Sequence, residues 1–182
     1  MINIMELKDT YFCYPDGTPA LQNIDLSVKR GEFLGILGAN GSGKTTLLKI
    51  LNGLLMTTKG EIYLEGNNIK SIHKDMLLKK VCTMLQNPDD QLFAPTVGED
   101  IAFGPTNMGL PKEEVKRRTH DALEAVDMTI FADKAIHNLS FGQKKRACLA
   151  GVLAMRPEVM LLDEPTSCLD PMGVNAIMQL LR

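Results

Sequence analysis

Apolar and polar residues along this chain first alternate, then run together, then recur at helical spacing, and each change of texture predicts a different element. Ile2, Asn3, Ile4, Met5, Glu6 and Leu7 alternate, as do Ile24, Asp25, Leu26, Ser27 and Val28, and a period of two marks strands with one buried face. Between them Tyr14, Pro15, Asp16, Gly17, Thr18 and Pro19 carry turn chemistry, so the opening of the chain reads as antiparallel β-structure. Phe33, Leu34, Gly35, Ile36 and Leu37 form an apolar run expected to be a buried strand, and residues 46–52 follow as a helix that Gly53 can close. Residues 61–64 read as a strand ending in a turn at 65–68, and residues 81–85 as a strand that delivers Gln86. From about residue 87 to 150 the spacing is helical. Pro111 suits a first helical turn, Glu113 and Glu114 suit its positive end, and Val115, Thr119, Ala122 and Val126 recur on one face. Strand texture returns at Val159–Leu162. With no internal repeat and no low-complexity linker, residues 1–182 are expected to form a single domain into which the helical stretch is inserted.

Composition adds boundaries. At 182 residues, 45% hydrophobic and 23% charged, the chain is long enough for one domain with a real core. A net charge of −2 and a pI near 5.9 give no electrostatic footprint for nucleic acid, so no nucleic-acid partner is expected. Lys144, Lys145 and Arg146 make the densest basic run inside a motif, and such a short run reads as a solvated helix face. Cys13, Cys82, Cys148 and Cys168 show no paired spacing and read as buried thiols of a reducing compartment. His73, His120 and His137 share no metal spacing. No apolar run reaches the roughly 18 residues of a membrane span and no signal peptide is visible, which points to the cytoplasm.

Three segments carry chemistry. Gly38, Ala39, Asn40, Gly41, Ser42, Gly43, Lys44 and Thr45 spell GxxxxGKT between the apolar run and the helix. Glycines there open backbone conformations closed to other residues, so successive N–H groups can turn inward on phosphates at the positive end of a helix. Lys44 would reach the β- and γ-phosphates of a nucleotide, and the Thr45 hydroxyl would ligate Mg²⁺. Val159, Met160, Leu161 and Leu162 end in Asp163 and Glu164, which puts carboxylates at the C-terminal edge of a strand, where open α/β sheets bind ligands. Asp163 would hold Mg²⁺ through water and Glu164 would polarise an attacking water. Ser140 can cap a helix starting at Phe141, a third place competent to meet an anion.

Leu139, Ser140, Phe141, Gly142 and Gln143 resemble the LSGGQ signature of ABC-type ATPases, and Ser167, Cys168, Leu169 and Asp170 resemble their D-loop. Phosphate loop, glutamine after a strand, signature, acidic strand end and D-loop follow in the family's order along essentially the whole chain. The resemblance implies an α/β fold of the P-loop NTPase class, an ABC ATPase domain with an antiparallel β-subdomain and an inserted helical subdomain. It also implies ATP and Mg²⁺ as ligands. Tyr14 matches the aromatic that stacks on adenine; Gln86 matches the Q-loop glutamine, a Mg²⁺ ligand with a catalytic role beside Glu164. Thr46 is grouped with the phosphate loop, and Ser140, Gly142 and Gln143 with the surface that meets the γ-phosphate of an opposite subunit in a head-to-tail dimer. Phe141 departs from the family's usual glycine, which is expected to alter packing at that interface.

The wording from Gln86 through Phe93 and from Thr96 through Gly104, with Gly142–Arg146 and Ala150–Pro157, is similar to the ATPases of energy-coupling-factor importers, which include cobalt and nickel systems. This implies a second ATP-binding subunit, identical or related, and a membrane transport subunit. It also implies a peripheral position on the cytoplasmic face of the membrane and a metal ion or vitamin as solute. Asp89, Asp90 and Leu92 are expected at or beside the groove for the membrane partner. Family members carry a switch histidine on a further strand, whereas no histidine follows His137 here. The resemblance places that strand between the phosphate-loop strand and the acidic one, so a shortened, incompletely folded form is expected. A truncated fragment that binds nucleotide without turnover, and a soluble ABC protein not linked to transport, stand as alternatives.

Overall fold

The computed structural model describes residues 3–181; of the alternating N-terminal stretch, Ile2 lies outside them. Two compact units divide the chain, residues 1–81 and 82–182.

In the first unit, β1 (Asn3–Cys13) and β2 (Pro19–Lys29) pair antiparallel, and β3 (Lys59–Leu64) pairs antiparallel with the other edge of β1. A two-residue β4 (Asn67–Asn68) completes the order β2-β1-β3-β4. The alternation seen in the sequence does this: Met5 faces Leu64 and Leu7 faces Ile62, and all four are buried. The hairpin turn is closed by the Tyr14 and Gly17 amides, which donate to the Thr18 and Tyr14 carbonyls at 2.9 Å each. Thr18 N donates to Asp16 Oδ1 at 2.9 Å, and this bond holds the Asp16 carboxyl below its ordinary range. Gly60 has no substitute: its φ is +87°, and a Cβ there would lie 2.2 Å from the Asp9 carbonyl oxygen.

Residues 33–37 overturn the expected buried strand. They form no regular element, and Phe33 and Leu37 are 59% and 96% exposed. An apolar run becomes a strand only when a neighbour takes its N–H and C=O groups, and no strand among the described residues runs beside it. The helix after the loop is α1 (Lys44–Leu51), which buries Leu47, Leu48, Ile50 and Leu51 and ends at Gly53, φ +74°, whose amide donates to the Ile50 carbonyl at 3.0 Å. A short α2 (Lys74–Lys80) follows β4.

The second unit is mostly helical. β5 (Val81–Met84) leads into it and pairs with β6 (Val159–Leu162). Between them lie α3 (Val97–Asn107), α4 (Lys112–Ala125) and α5 (Phe141–Met155). Thr96 and Glu99 form a reciprocal capping box at α3, and Ser140 and Gln143 form another at α5. Pro111 sits at the N-cap of α4, one residue before the first turn that it was expected to occupy. Of the expected face, Ala122 and Val126 are buried while Val115 and Thr119 are half-buried. The core gathers Met84, Val97, Ile101, Met128, Ala147 and Leu149, all without exposed surface. Asp170 Oδ1 accepts from the Gly173 amide at 2.7 Å and starts α6 (Pro171–Leu180). Among the described residues no helix is long and apolar enough to cross a membrane.

Candidate functional site

The phosphate loop is built by close approach. Gly41 and Gly43 have φ of +79° and +90°, a region that side chains with a Cβ rarely adopt. A Cβ on Gly43 would sit 2.6 Å from the Ala20 carbonyl oxygen, and one on Gly38 would sit 2.7 Å from Ser42 Oγ. Ser42 N donates to the Ala39 carbonyl at 3.2 Å, curling the loop. No side chain caps the start of α1, and no acidic residue lies in its first turn, so the positive helix end is not answered by the loop's own carboxylates. The Lys44 ammonium folds over this concavity, donating to the Gly38 and Ala39 carbonyls at 2.8 and 2.9 Å. A charge held only by backbone carbonyls can transfer to phosphate oxygens, which are stronger acceptors. Tyr14 and Thr46 share a hydroxyl hydrogen bond of 2.8 Å, and the Tyr14 ring meets Phe12 edge-on at 5.0 Å. The bond fixes the aromatic beside the helix that leaves the loop.

In the second unit, Gln86 Nε2 donates to Glu164 Oε2 at 3.0 Å. Two residues far apart in sequence thus meet where β5 and β6 end, and the Asp163 amide donates to the Met84 carbonyl at 3.0 Å to lock that edge. Asp163 is buried. Glu164 takes a left-handed backbone, φ +47°, as does Cys168 at +60°. The Glu164 carbonyl accepts from Ser167 N at 3.2 Å, from Ser167 Oγ at 3.0 Å and from Lys145 Nζ at 2.9 Å. Ser140 Oγ accepts from Gln143 N at 3.3 Å while Gln143 Oε1 accepts from Ser140 N at 3.0 Å. Gly142 lies close under Leu169, whose Cδ2 would be 3.2 Å from a Cβ there.

The profile of the ABC transporter family matches residues 21–167. The chain belongs to the ABC transporter family. It is 56% identical over 180 residues to the energy-coupling factor transporter ATP-binding protein EcfA of Methanocaldococcus jannaschii, covering 98% of this chain and 64% of that protein. With EcfA of Methanosphaera stadtmanae it shares 54% identity, covering 100% of this chain and 66% of that protein. The chain therefore spans about two-thirds of the length of these relatives. Among solved structures, CbiO1 of Clostridium perfringens, part of the ABC transporter complex CbiONQ, matches with a TM-score of 0.88 at 44% identity, covering 100% of this chain and 73% of that one. The dimeric post-hydrolysis state of the ATP-binding cassette MJ0796, bound to ADP and phosphate, matches with a TM-score of 0.86 at 32% identity, covering 97% and 81%. The fold is that of the ABC ATPases, as the signature implied.

Within this ABC cassette, three expectations about side chains are corrected. Lys145 is not on a solvated face: it has no exposed surface at all, because it stands on the apolar stripe of α5 with Cys148, Leu149 and Val152. Burial pushes its ammonium below the ordinary lysine range, against the opposing pull of nearby thiols and carboxylates. Its neighbour Lys144 pairs with Asp89 at 2.5 Å. Leu92, expected with Asp89 and Asp90 at or beside a groove for a membrane partner, is buried in the core and does not line such a surface, whereas Asp89 and Asp90 are exposed. Cys168 is exposed, unlike buried Cys82 and Cys148, whose thiols burial pushes up to about 11 and about 12.

Two residues of this region escaped sequence reasoning. Gln91 Oε1 accepts from Leu85 N at 2.9 Å and its Nε2 donates to the Cys148 carbonyl at 3.5 Å, so it braces the segment after β5 against α5. Nothing in its local sequence announces this. Lys145 did leave a signal, since it falls four residues after Phe141 and three or four before Cys148 and Leu149, which is the spacing of a buried helix face.

Proposed function

We propose that this chain is the ATP-binding and ATP-hydrolysing part of an ABC importer of the energy-coupling-factor type, working on the cytoplasmic face of a membrane with a second ATP-binding subunit and a membrane transport subunit, to import a metal ion or a vitamin. The names of the EcfA and CbiO1 relatives support the importer type. The observation that carries hydrolysis, over binding alone, is the 3.0 Å bond that holds the Glu164 carboxylate against Gln86 at the end of β6.

In this reading Tyr14 stacks on adenine, while the N–H groups of residues 38–46 and the Lys44 ammonium bind the phosphates. Thr45 and Gln86 would hold Mg²⁺ through a hydroxyl and an amide oxygen, and the one carboxylate, Asp163, would hold it through water. Such a sparse set suits Mg²⁺, which takes one or two carboxylates and leaves other positions to water and phosphate. When bound, Mg²⁺ neutralises charge on the β- and γ-phosphate oxygens. Glu164 orients water and takes its proton as the water oxygen bonds to the γ-phosphorus and the bond from that phosphorus to the bridging oxygen breaks, releasing ADP. Ser140, Gly142 and Gln143 present the start of α5 to the γ-phosphate held by the opposite subunit. There the Ser140–Gln143 box leaves the positive helix end free of acidic side chains.

Glu164→Gln tests the reading. An amide keeps the hydrogen-bonding shape but takes no proton, so turnover should fall by about 10²–10⁴-fold with Mg·ATP binding retained. Steady-state ATPase rates beside equilibrium binding measure this, and near-parental turnover would remove Glu164 from the chemistry.

A further inference from the structure

Lys145 has no role in the reaction described above, yet it is the largest fully buried side chain among the described residues. An ammonium taken out of water costs several kcal/mol unless its partners are well placed, and a helix that needed only volume at this position would be served by Met or Leu. Among the described residues no carboxylate lies within ion-pair distance of it. What Lys145 has instead is the Glu164 carbonyl, at 2.9 Å from Nζ, and the Phe141 ring, whose centroid is 5.9 Å away. The first partner is backbone of the glutamate itself. The second stands at the first turn of the signature helix.

Glu164 needs holding. A left-handed backbone at a non-glycine residue is unfavourable, and here it turns the chain directly after β6. The carbonyl of that strained residue receives three donors, of which two, Ser167 N and Ser167 Oγ, come from the turn itself. Lys145 is the third and the only one of the three from another element, and its hydrogen bond ties the turn to α5. On the far side of the residue, Gln86 holds the carboxylate. Backbone and side chain of Glu164 are thus clamped from two directions.

We propose that Lys145 is a positioning residue that fixes Glu164 to the signature helix through its backbone carbonyl, so that the placement of α5 sets the placement of the carboxylate. This rests on the hydrolytic reading of Glu164. It assigns Lys145 no contact with nucleotide. A neutral amide donor, one bond shorter than lysine, should therefore stand in for it, because the function needs a donor at the carbonyl and no charge.

The test compares Lys145→Met with Lys145→Gln in the intact protein. Met fills the space without a donor; Gln restores a neutral one. In steady-state ATPase assays Lys145→Met should lower kcat about tenfold or more while KM for ATP and equilibrium Mg·ATP binding stay within about twofold, a pattern that marks loss of an interaction acting on the chemical step. Lys145→Gln should return kcat to within about threefold of the parent. Parental kcat in Lys145→Met, or an equal fall in both variants, overturns the proposal. Hydrogen exchange at the Ser167 amide gives a reading independent of turnover: faster exchange in Lys145→Met than in the parent and in Lys145→Gln is expected, and unchanged exchange overturns the tether. Absence of turnover in the parent itself would sink the hydrolytic reading and leave the tether to be judged by exchange. If Lys145→Met does not fold, Lys145→Gln decides, since it must keep both the protection of Ser167 and at least about a third of parental kcat.

Discussion

Residues 33–43 and residues 159–170 begin alike, as an apolar run leading into a loop full of chemistry, and end in opposite conditions. The second run is β6, paired with β5, and its loop is clamped by Gln86 and Lys145. The first run has no paired neighbour among the described residues and leaves Leu37 almost fully exposed, and its loop comes closest to the hairpin at Gly43, where a Cβ would meet the Ala20 carbonyl oxygen. Strand texture in a sequence is a capacity to pair, and tertiary context decides whether it is used. The comparison also shows two ways to present a charged side chain. Glu164 is held from two sides before any ligand arrives, whereas Lys44 rests on two carbonyls that it can leave.

The sharpest way to break this contrast is to truncate one leucine in each run. Leu161 is 7% exposed on the paired strand, and Leu161→Ala should cost about 2–5 kcal/mol of folding stability, as core truncations do. Leu37→Ala in the same 182-residue chain should lie within about 0.5 kcal/mol of the parent, the range of surface substitutions. Urea melts of both variants measure the difference. Equal costs would mean that residues 33–37 are packed in solution, and the contrast between the two runs would collapse.

How far the fold was legible follows from the same point. The hairpin of β1 and β2 was readable because its alternation and its turn are local, and α1 because Gly53 marks its end. The start of α5 was readable from Ser140, a cap three residues before Gln143. The state of residues 33–37 was not, since pairing depends on residues distant in the chain. Lys145 was misread because adjacent Lys144 and Arg146 made it look like part of a charge run, while helical spacing put it alone on the apolar stripe. Leu92 was read with its acidic neighbours Asp89 and Asp90, although the short turn after Pro88 sends it inward. At the site, the sequence named Gln86 and Glu164 separately; their contact and the left-handed backbone of Glu164 belong to the fold.

A middle-sized effect should separate the two modes of presentation. Lys44→Ala removes the mobile ammonium and leaves the backbone cradle intact, so Mg·ATP binding should weaken by about 10–100-fold, the worth of a hydrogen bond to a charged group. Isothermal titration or a fluorescent nucleotide would read it. Because Lys44 bonds only to exposed loop carbonyls, melting of the nucleotide-free protein should hardly change. An affinity equal to the parent's would mean that the cradle binds phosphate unaided.

The smallest effect concerns the packing that holds the braced half in place. Cys148 lies buried on α5, where its thiol donates to the Pro88 carbonyl at 3.9 Å, and burial pushes its pKa from an ordinary value near 9 up to about 12. The folded protein therefore keeps this proton at pH values where the unfolded chain gives it up. Stability contributed by the neutral thiol is complete below about pH 9 and is lost progressively as pH rises toward 12, by at most about 1.4 kcal/mol per pH unit for one group. Cys82, pushed to about 11, adds in the same direction. Urea midpoints of the parent should therefore decline between pH 8 and pH 10 more steeply than those of Cys148→Ala, which has no proton to lose there. Parallel declines would show that the Cys148 thiol is less enclosed than its place on α5 indicates, and the braced half would then owe less to the packing of that helix.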